Sequence, residues 1–431
     1  MLIFIKKPDG NVLEIEVGPK AVGLECLDLT CLKLNMVEGD YFGLQFTAKK
    51  GERHWLNLRN TITSQLPIGF SQPIRLDLRV KFHVEPHILQ QDITRHLFFH
   101  DAKLLVKEGK FKAALKNAAR IAALFTQAEN GDFGASSDME QLSGYFPQFA
   151  DSEEFKVTAQ AEYARLRSMR TEHALLSLLR EICEMDSYGL DTFTAKTCSG
   201  QFCEVGVGAH GILVTNVETQ DCVKIPLQSV KRLSVEKRDC QMHYELDDGH
   251  NFTTDKMELT LQTKEVAEGL YRSITEKVEF FTSETVSEPV KDQFVRDLRG
   301  SIVSFFNVNT DLGKKYSFDL RRTQQEVHDD ARRKLFRMGI STQSCEDSAD
   351  LSAQAHNRQE GANQLEQELQ MYRDAVTCKV CMACHMDTVL LPCGHFLLCS
   401  NCADMVSSCP SCRLSIEERK KVFWDRPMNV T

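Results

Sequence analysis

No stretch of the sequence reaches eighteen uninterrupted apolar residues, so no membrane-spanning helix is expected. No secretory leader is expected either. The opening "MLIFIKKPDG" puts a short apolar run before its lysines, the reverse of an export signal, and reads as a strand. Positive charge is not in excess: 52 Lys and Arg stand against 61 Asp and Glu, a net charge of −9. That balance argues against nucleic acid as a partner. The expectation is an intracellular, cytoplasmic chain, in which disulfides are disfavoured and clustered thiols serve metal binding or catalysis. At 431 residues it is too long for one hydrophobic core, and two to four domains are expected.

Cysteine is plentiful and uneven. Eight of the 16 lie between Cys378 and Cys412, in "CKVCMACHMDTVLLPCGHFLLCSNCADMVSSCPSC". The others are scattered singly and suit small buried hydrophobes. The cluster could be a disulfide staple, a redox device or a metal site. A redox CxxC needs one pair beside a βαβ pattern. Here four ligand pairs follow in succession: Cys378 and Cys381, Cys393 and His395, Cys399 and Cys402, Cys409 and Cys412. A two-residue gap lets two thiolates of a tight turn face one tetrahedral Zn²⁺ at about 2.3 Å. Seven Cys and one His fill two closed sites, so two structural zinc ions per chain are expected. Cys384 offers a rival frame with Cys381, but that frame orphans Cys378, so Cys384 is read as a bystander.

The ligand order resembles the C3HC4 RING finger, and the "PCGH" element, the His-x3-Cys gap and the "CPSCR" ending resemble RINGs of inhibitor-of-apoptosis type. That resemblance implies interleaved sites, Cys378, Cys381, Cys399 and Cys402 holding one zinc and Cys393, His395, Cys409 and Cys412 the other. It also implies a ubiquitin ligase that binds a ubiquitin-loaded conjugating enzyme (E2) through Val380, Val406 and Pro410, with Arg413 bridging ubiquitin and E2. Such a ligase has no catalytic residue of its own, because it positions the thioester of another protein. So few residues cannot build a core, and each structural zinc would supply roughly 10–16 kcal/mol of folding free energy.

Upstream, "MLIFI" and "VLEIEV" alternate in strand fashion about the turn signal "PDGN". A helix follows with Cys26, Leu29, Leu32 and Leu34 on or near one face, as in a ubiquitin-like β-grasp. From Pro86 the apolar period changes to three or four, giving three or four helices ending near Tyr188, with an irregular insert at "GDFGASSDMEQLSGYFPQ". From Phe193 the period returns to two, and one helix, "TKEVAEGLYRSITEKVEFF", closes a PTB/PH-like sandwich. In that helix Val266, Leu270, Ile274 and Val278 are expected to face the core. Tyr271 and Thr275 lie one step round, where they could line a peptide groove or simply pack and be solvated.

The motifs "YFGLQF", "WLNL", "LDLRVKFHVEPHILQQDITRHLFF", "MDSYGLDTF" and "GVGAHGI" resemble the three-lobed FERM fold over about residues 1–283. The expected class is thus multidomain α+β. A FERM module would have its ubiquitin-like lobe at 1–83, helical lobe at 84–190 and PTB/PH-like lobe at 191–283. An extension at 284–340, a flexible linker at 341–363, a short helix at 364–377, the RING at 378–413 and a tail at 414–431 would follow. The extension is basic, with Lys314, Lys315, Arg321, Arg322, Arg332, Arg333 and Lys334, which suits either a phosphoinositide surface or a solvated helix face. Leu365, Leu369, Tyr372 and Val376 fall at heptad spacing, a stripe that could pack against the RING or pair two chains, and with Phe423 and Trp424 a RING homodimer is expected. With "GLYRSITE", "GKKYSFDLRRT" and "ARRKLF", the whole chain resembles the FERM-RING E3 ubiquitin ligases. That resemblance implies a peripheral membrane or cytoskeletal location and, as substrate, the cytoplasmic tail of a membrane receptor of LDL-receptor type. A FERM scaffold with a structural zinc module, or a ligase for caspases or immune-signalling proteins, are the alternatives.

Overall fold

A computed structural model describes residues 1–47, 53–66, 73–132, 137–247, 252–295, 315–340, 378–381 and 386–422. Cys384, the heptad residues Leu365 to Val376, and Phe423 and Trp424 lie outside the described residues. The chain divides into two compact units, Met1–Asp347 and Ser348–Thr431.

The first unit opens with strands β1 (Leu2–Lys6) and β2 (Val12–Glu16), joined through the Asp-Gly turn, and helix α1 (Gly23–Lys33). Then come β3 (Phe42–Thr47), β4 (Arg53–Trp55), the short α2 (Ile62–Gln65) and β5 (Ile74–Val80). The sheet order is β2-β1-β5-β3-β4, with β1 parallel to β5, which is the β-grasp arrangement. Helix α1 corrects the expected stripe. Its buried face is Cys26, Leu27, Thr30 and Cys31, while Leu32 is 71% exposed. At 3.6 residues per turn, seating 26, 27, 30 and 31 on the sheet turns Leu29 and Leu32 outward, and Leu34 falls beyond the last turn.

The second lobe is five helices: α3 (Asp92–Lys107), α4 (Leu115–Asn130), α5 (Ser137–Tyr145), α6 (Glu153–Arg165) and α7 (Thr171–Cys183). Every residue of α4 from Ile121 to Gln127 is buried, so this helix is the axis about which the others pack. The insert read as irregular contributes α5. Tyr145 stacks on Phe125 at 4.9 Å, and its hydroxyl donates to Glu129 at 2.7 Å.

The third lobe is a seven-stranded antiparallel sheet and one helix. Its strands are β6 (Asp191–Thr197), β7 (Phe202–Gly208), β8 (Gly211–Asn216), β9 (Cys222–Ile225), β10 (Val230–Glu236), β11 (Asp239–Asp247) and β12 (Phe252–Leu261). They run β10-β11-β12-β6-β7-β8-β9, and α8 (Lys264–Thr282) packs on them. Leu270 and Ile274 are fully buried in the sandwich core, with Val266 and Val278 partly buried against it. Phe82 and Phe280 stack at 4.0 Å, and Tyr41 meets both Phe98 and Phe280 edge-on, so aromatic rings fill the place where the lobes join.

After α9 (Glu288–Asp292), the short pair β13 (Phe294–Val295) and β14 (Lys315–Tyr316) leads to α10 (Gln324–Arg337). Residues 316–323 form a strap between the first and third lobes. Phe318, Asp319 and Leu320 are buried, and the Tyr316 backbone exchanges hydrogen bonds with Asn57 and Asn60. Two of the cations expected on a phosphoinositide surface or a solvated helix face are paired with an acid of the first lobe. Arg321 donates to Asp40 at 2.7 Å, and Arg322 donates to the same carboxylate at 2.8 Å. Among the described residues, no helix is long and apolar enough to cross a membrane.

Candidate functional sites

In the second unit, β15 (Thr388–Leu391) pairs with β16 (His395–Leu398) on one side and β17 (Glu418–Lys421) on the other. Leu390, Leu398 and Ala403 fill a core of a few side chains. A core that small cannot offset the entropy of ordering the segment. The cysteines and histidine do the rest of the organising. Gly394, at φ +71°, turns the chain between the β15 and β16 ladders and brings Cys393 and His395 to one end of the hairpin. Cys399 caps helix α11 (Ser400–Asp404), which carries Cys402 on its first turn.

The eight residues gather into two groups of four: Cys378, Cys381, Cys399 and Cys402, and Cys393, His395, Cys409 and Cys412. Within each group the ligand atoms lie within 4.8 Å of one another. The grouping interleaves the four sequence pairs, first with third and second with fourth. Two observations test whether zinc fits. The Cys381 and Cys399 sulfurs are 3.8 Å apart, much too far for a disulfide bond. That separation is the edge of a tetrahedron with metal–sulfur bonds of about 2.3 Å. His395 Nδ1 is buried with no hydrogen-bond partner, as a nitrogen reserved for a metal would be. The donor set thus fits two zinc ions, each with four protein ligands and no vacant position for a reacting water.

Around these groups, Val380 is 45% exposed, Val406 is half-buried, and Pro410 and Arg413 are exposed. Arg413 adopts φ +59°, rare for a residue with a side chain, and its N–H donates to Cys409 at 2.7 Å, closing the turn that carries the last two ligands. The sequence reading missed Met405, which is 75% exposed beside Val406, and Arg419. The Arg419 guanidinium donates to the carbonyls of Ala403 and Val406 at 2.7 and 2.6 Å, tying β17 to the end of α11.

In the third lobe, β10 is a sheet edge: among the described residues it pairs only with β11. Thr275 is half-buried on α8. Tyr271 is also half-buried, with its ring 5.7 Å from that of Phe318 in the strap. At the very next positions on α8, Arg272 and Glu276, lies a cluster no motif announced. Asp319 accepts from Lys81 at 2.6 Å and from Arg272 at 2.6 Å, and Glu276 pairs with the same two cations at 2.7 and 2.8 Å. Burial pushes the Asp319 carboxyl up, but Arg272 and Lys81 outweigh it and hold it well below the usual carboxylate range. Two cations and two anions close in neutrality, out of water, at the seam of first lobe, third lobe and strap.

Comparison with known proteins places these parts. Residues 5–67 match the FERM N-terminal domain, 84–193 the FERM central domain, and 374–419 the C3HC4-type zinc finger, or RING finger. Among similar curated proteins, mouse tyrosine-protein phosphatase non-receptor type 14 is 29% identical over 221 residues, 49% of this chain and 18% of that protein. Chicken FERM, ARHGEF and pleckstrin domain-containing protein 1 is 27% identical over 282 residues, 65% of this chain and 26% of that protein. The Drosophila melanogaster protein 4.1 homolog is 29% identical, over 48% of this chain and 12% of its own length. The chain therefore spans about a quarter or less of these relatives. Among solved structures, the FERM and C-terminal domain complex of Drosophila Merlin superposes with a TM-score of 0.56 at 16% identity, covering 65% of this chain and 96% of that one. The MyTH4-FERM MF2 domain of Dictyostelium discoideum myosin VII gives 0.52 at 14% identity, covering 66% and 58%. The chain joins a FERM fold, with its N-terminal and central domains, to a C-terminal C3HC4 RING finger.

Proposed function

We propose that the chain is a RING-type E3 ubiquitin-protein ligase of the FERM-RING family typified by myosin regulatory light chain-interacting protein, the inducible degrader of the LDL receptor. The observation that carries this reading is the pair of closed, interleaved four-ligand groups, which fix loops and leave no metal position for chemistry. Zinc bound there would rigidify the turns around Val380 and Val406. Val380, Val406 and Pro410 would then meet the E2, and Arg413 would bridge it to ubiquitin through its fork of donors. The third lobe would recruit a cytoplasmic receptor tail by strand addition along β10, beside Thr275 and Tyr271 on α8. The ligase would work in the cytoplasm, at the inner face of the plasma membrane or on the cytoskeleton, and would pair through its RING.

The test is reconstituted ubiquitination scored for self-modification and for modification of a receptor-tail peptide. Val380→Arg puts a charge into an apolar contact and should abolish both while zinc content holds. Thr275→Ala with Tyr271→Phe should spare self-modification and lose only the tail. Truncating Tyr271 to alanine would confuse this, because its ring also supports Phe318. Wild type inactive with every E2 in a broad panel would favour a FERM scaffold instead, and equal activity of wild type and Val380→Arg would remove the docking role.

A further inference from the structure

Helix α10 buries Val327, Ala331 and Leu335 at i, i+4 and i+8. Its other side carries Arg332 and Phe336 at i, i+4, and Arg333 and Arg337 beside them. Phe336 is 83% exposed, the most exposed large apolar side chain among the described residues, and Met338 is 60% exposed. Ile340 is exposed as well. These three do not sit on a loose end. The Gly339 N–H donates to Phe336 and the Ile340 N–H to Leu335, each at 3.0 Å, with Gly339 at φ +70°. That is a Schellman cap, which holds the turn in one conformation. A fixed, exposed apolar triad costs free energy in water unless something covers it.

The charges around it indicate what does. From Ala331 to Ile340 there are four cations and no acid, on a chain whose net charge is −9. Among the described residues, Lys334 is the one of the four in a salt bridge, with Asp330, while Arg333 donates to the Asp329 carbonyl of its own helix. The acids of α10, Glu326, Asp329 and Asp330, all lie toward its N-terminus. A phenyl ring 83% exposed protrudes from the surface that carries it. Protruding apolar groups ringed by cations match the boundary between anionic headgroups and acyl chains. We propose that the C-terminal turn of α10 is a membrane-insertion tip. Phe336, Met338 and Ile340 enter the acyl boundary of an anionic phospholipid bilayer, and Arg332, Arg333 and Arg337 lie among its phosphates. This is independent of the ligase reading, and each can fail without the other.

The experiment is flotation of the full chain with vesicles of phosphatidylcholine containing about one quarter phosphatidylserine, against phosphatidylcholine alone. Wild type should float with the anionic vesicles and scarcely with the neutral ones. Arg332→Gln with Arg333→Gln should weaken binding about fivefold per cation at low salt, and less as salt rises. Replacing Phe336, Met338 and Ile340 by Ser should weaken it on the order of tenfold or more at any salt. All three side chains are exposed, so thermal melting should not change. Should the triple variant misfold, Phe336→Trp decides: the fluorescence of the introduced indole should be quenched by brominated acyl chains beyond the wild-type background. Equal flotation of the wild type and the serine variant, no preference for phosphatidylserine, or quenching in Phe336→Trp no greater than in wild type would overturn the proposal. So would binding that needs a phosphoinositide headgroup and ignores the apolar triad. A serine variant that changed oligomeric mass instead would assign the tip to a second copy and overturn it too.

Discussion

Asp319 is one carboxylate among 61 acidic residues, yet it is the group on which the seam between lobes turns. Replacing it by Asn would leave Lys81 and Arg272 facing Glu276 alone, a surplus positive charge out of water. Removal of one partner from such a group costs about 3–5 kcal/mol, measurable by chemical denaturation of residues 1–340. The pH dependence follows in sign. A carboxyl whose folded pKa is depressed contributes stability above its unfolded pKa of about 3.9 and loses it as pH falls toward the folded value. Asp319, Asp101 and Asp191 all behave this way: burial would raise each carboxyl, but neighbouring cations and hydrogen-bond donors outweigh it. Glu38 works in the opposite direction, because its burial dominates and raises it. Thermal melts should therefore hold near neutrality and fall below about pH 4, with a shallower fall in Asp319→Asn.

At the scale of elements, the strap is held by packing as well as charge. Phe318 is buried, and its truncation to alanine should cost about 3–5 kcal/mol. A double-mutant cycle between Phe318 and Tyr271 should show coupling of about 0.5–1.5 kcal/mol, and no coupling would mean that the rings merely adjoin. The strap also shows where sequence reading stops. Strands and helices were legible because their apolar periods are long and local, as in α8, where Leu270 and Ile274 are buried as their spacing implies. The ligand pairs were legible because a metal imposes its geometry on short gaps. The partners of Arg321 and Arg322 were not, because Asp40 sits 281 and 282 residues away and no local pattern links them. The stripe on α1 failed for a narrower reason. Leu and Cys are both apolar and positions 27 and 29 are both leucine, so residue type does not choose between the faces, and the sheet seats Leu27 and Cys31 while Leu29 and Leu32 stay outside.

At the scale of the whole molecule, two units with separate cores should unfold separately. Zinc analysis should give two ions per chain, falling to one or none in Cys393→Ser and unchanged on replacing Cys384. A strong chelator should melt the RING unit alone, because each ion supplies roughly 10–16 kcal/mol there and, among the described residues, both four-ligand groups lie in that unit. Two transitions, only the one for residues 1–340 surviving chelation, would be seen by calorimetry. The strap carries a different consequence, for the order in which the chain is made. Lys81 and Asp319 are 238 positions apart. At roughly 5–20 residues per second, about 12 to 48 seconds of synthesis separate them. For most of that interval the first lobe displays Lys81 with neither anion, and once Glu276 has been made the last 43 residues to Asp319 must still follow. The nascent module stays open at that seam until its last segment emerges, so it should depend on chaperones most while it is nearly complete.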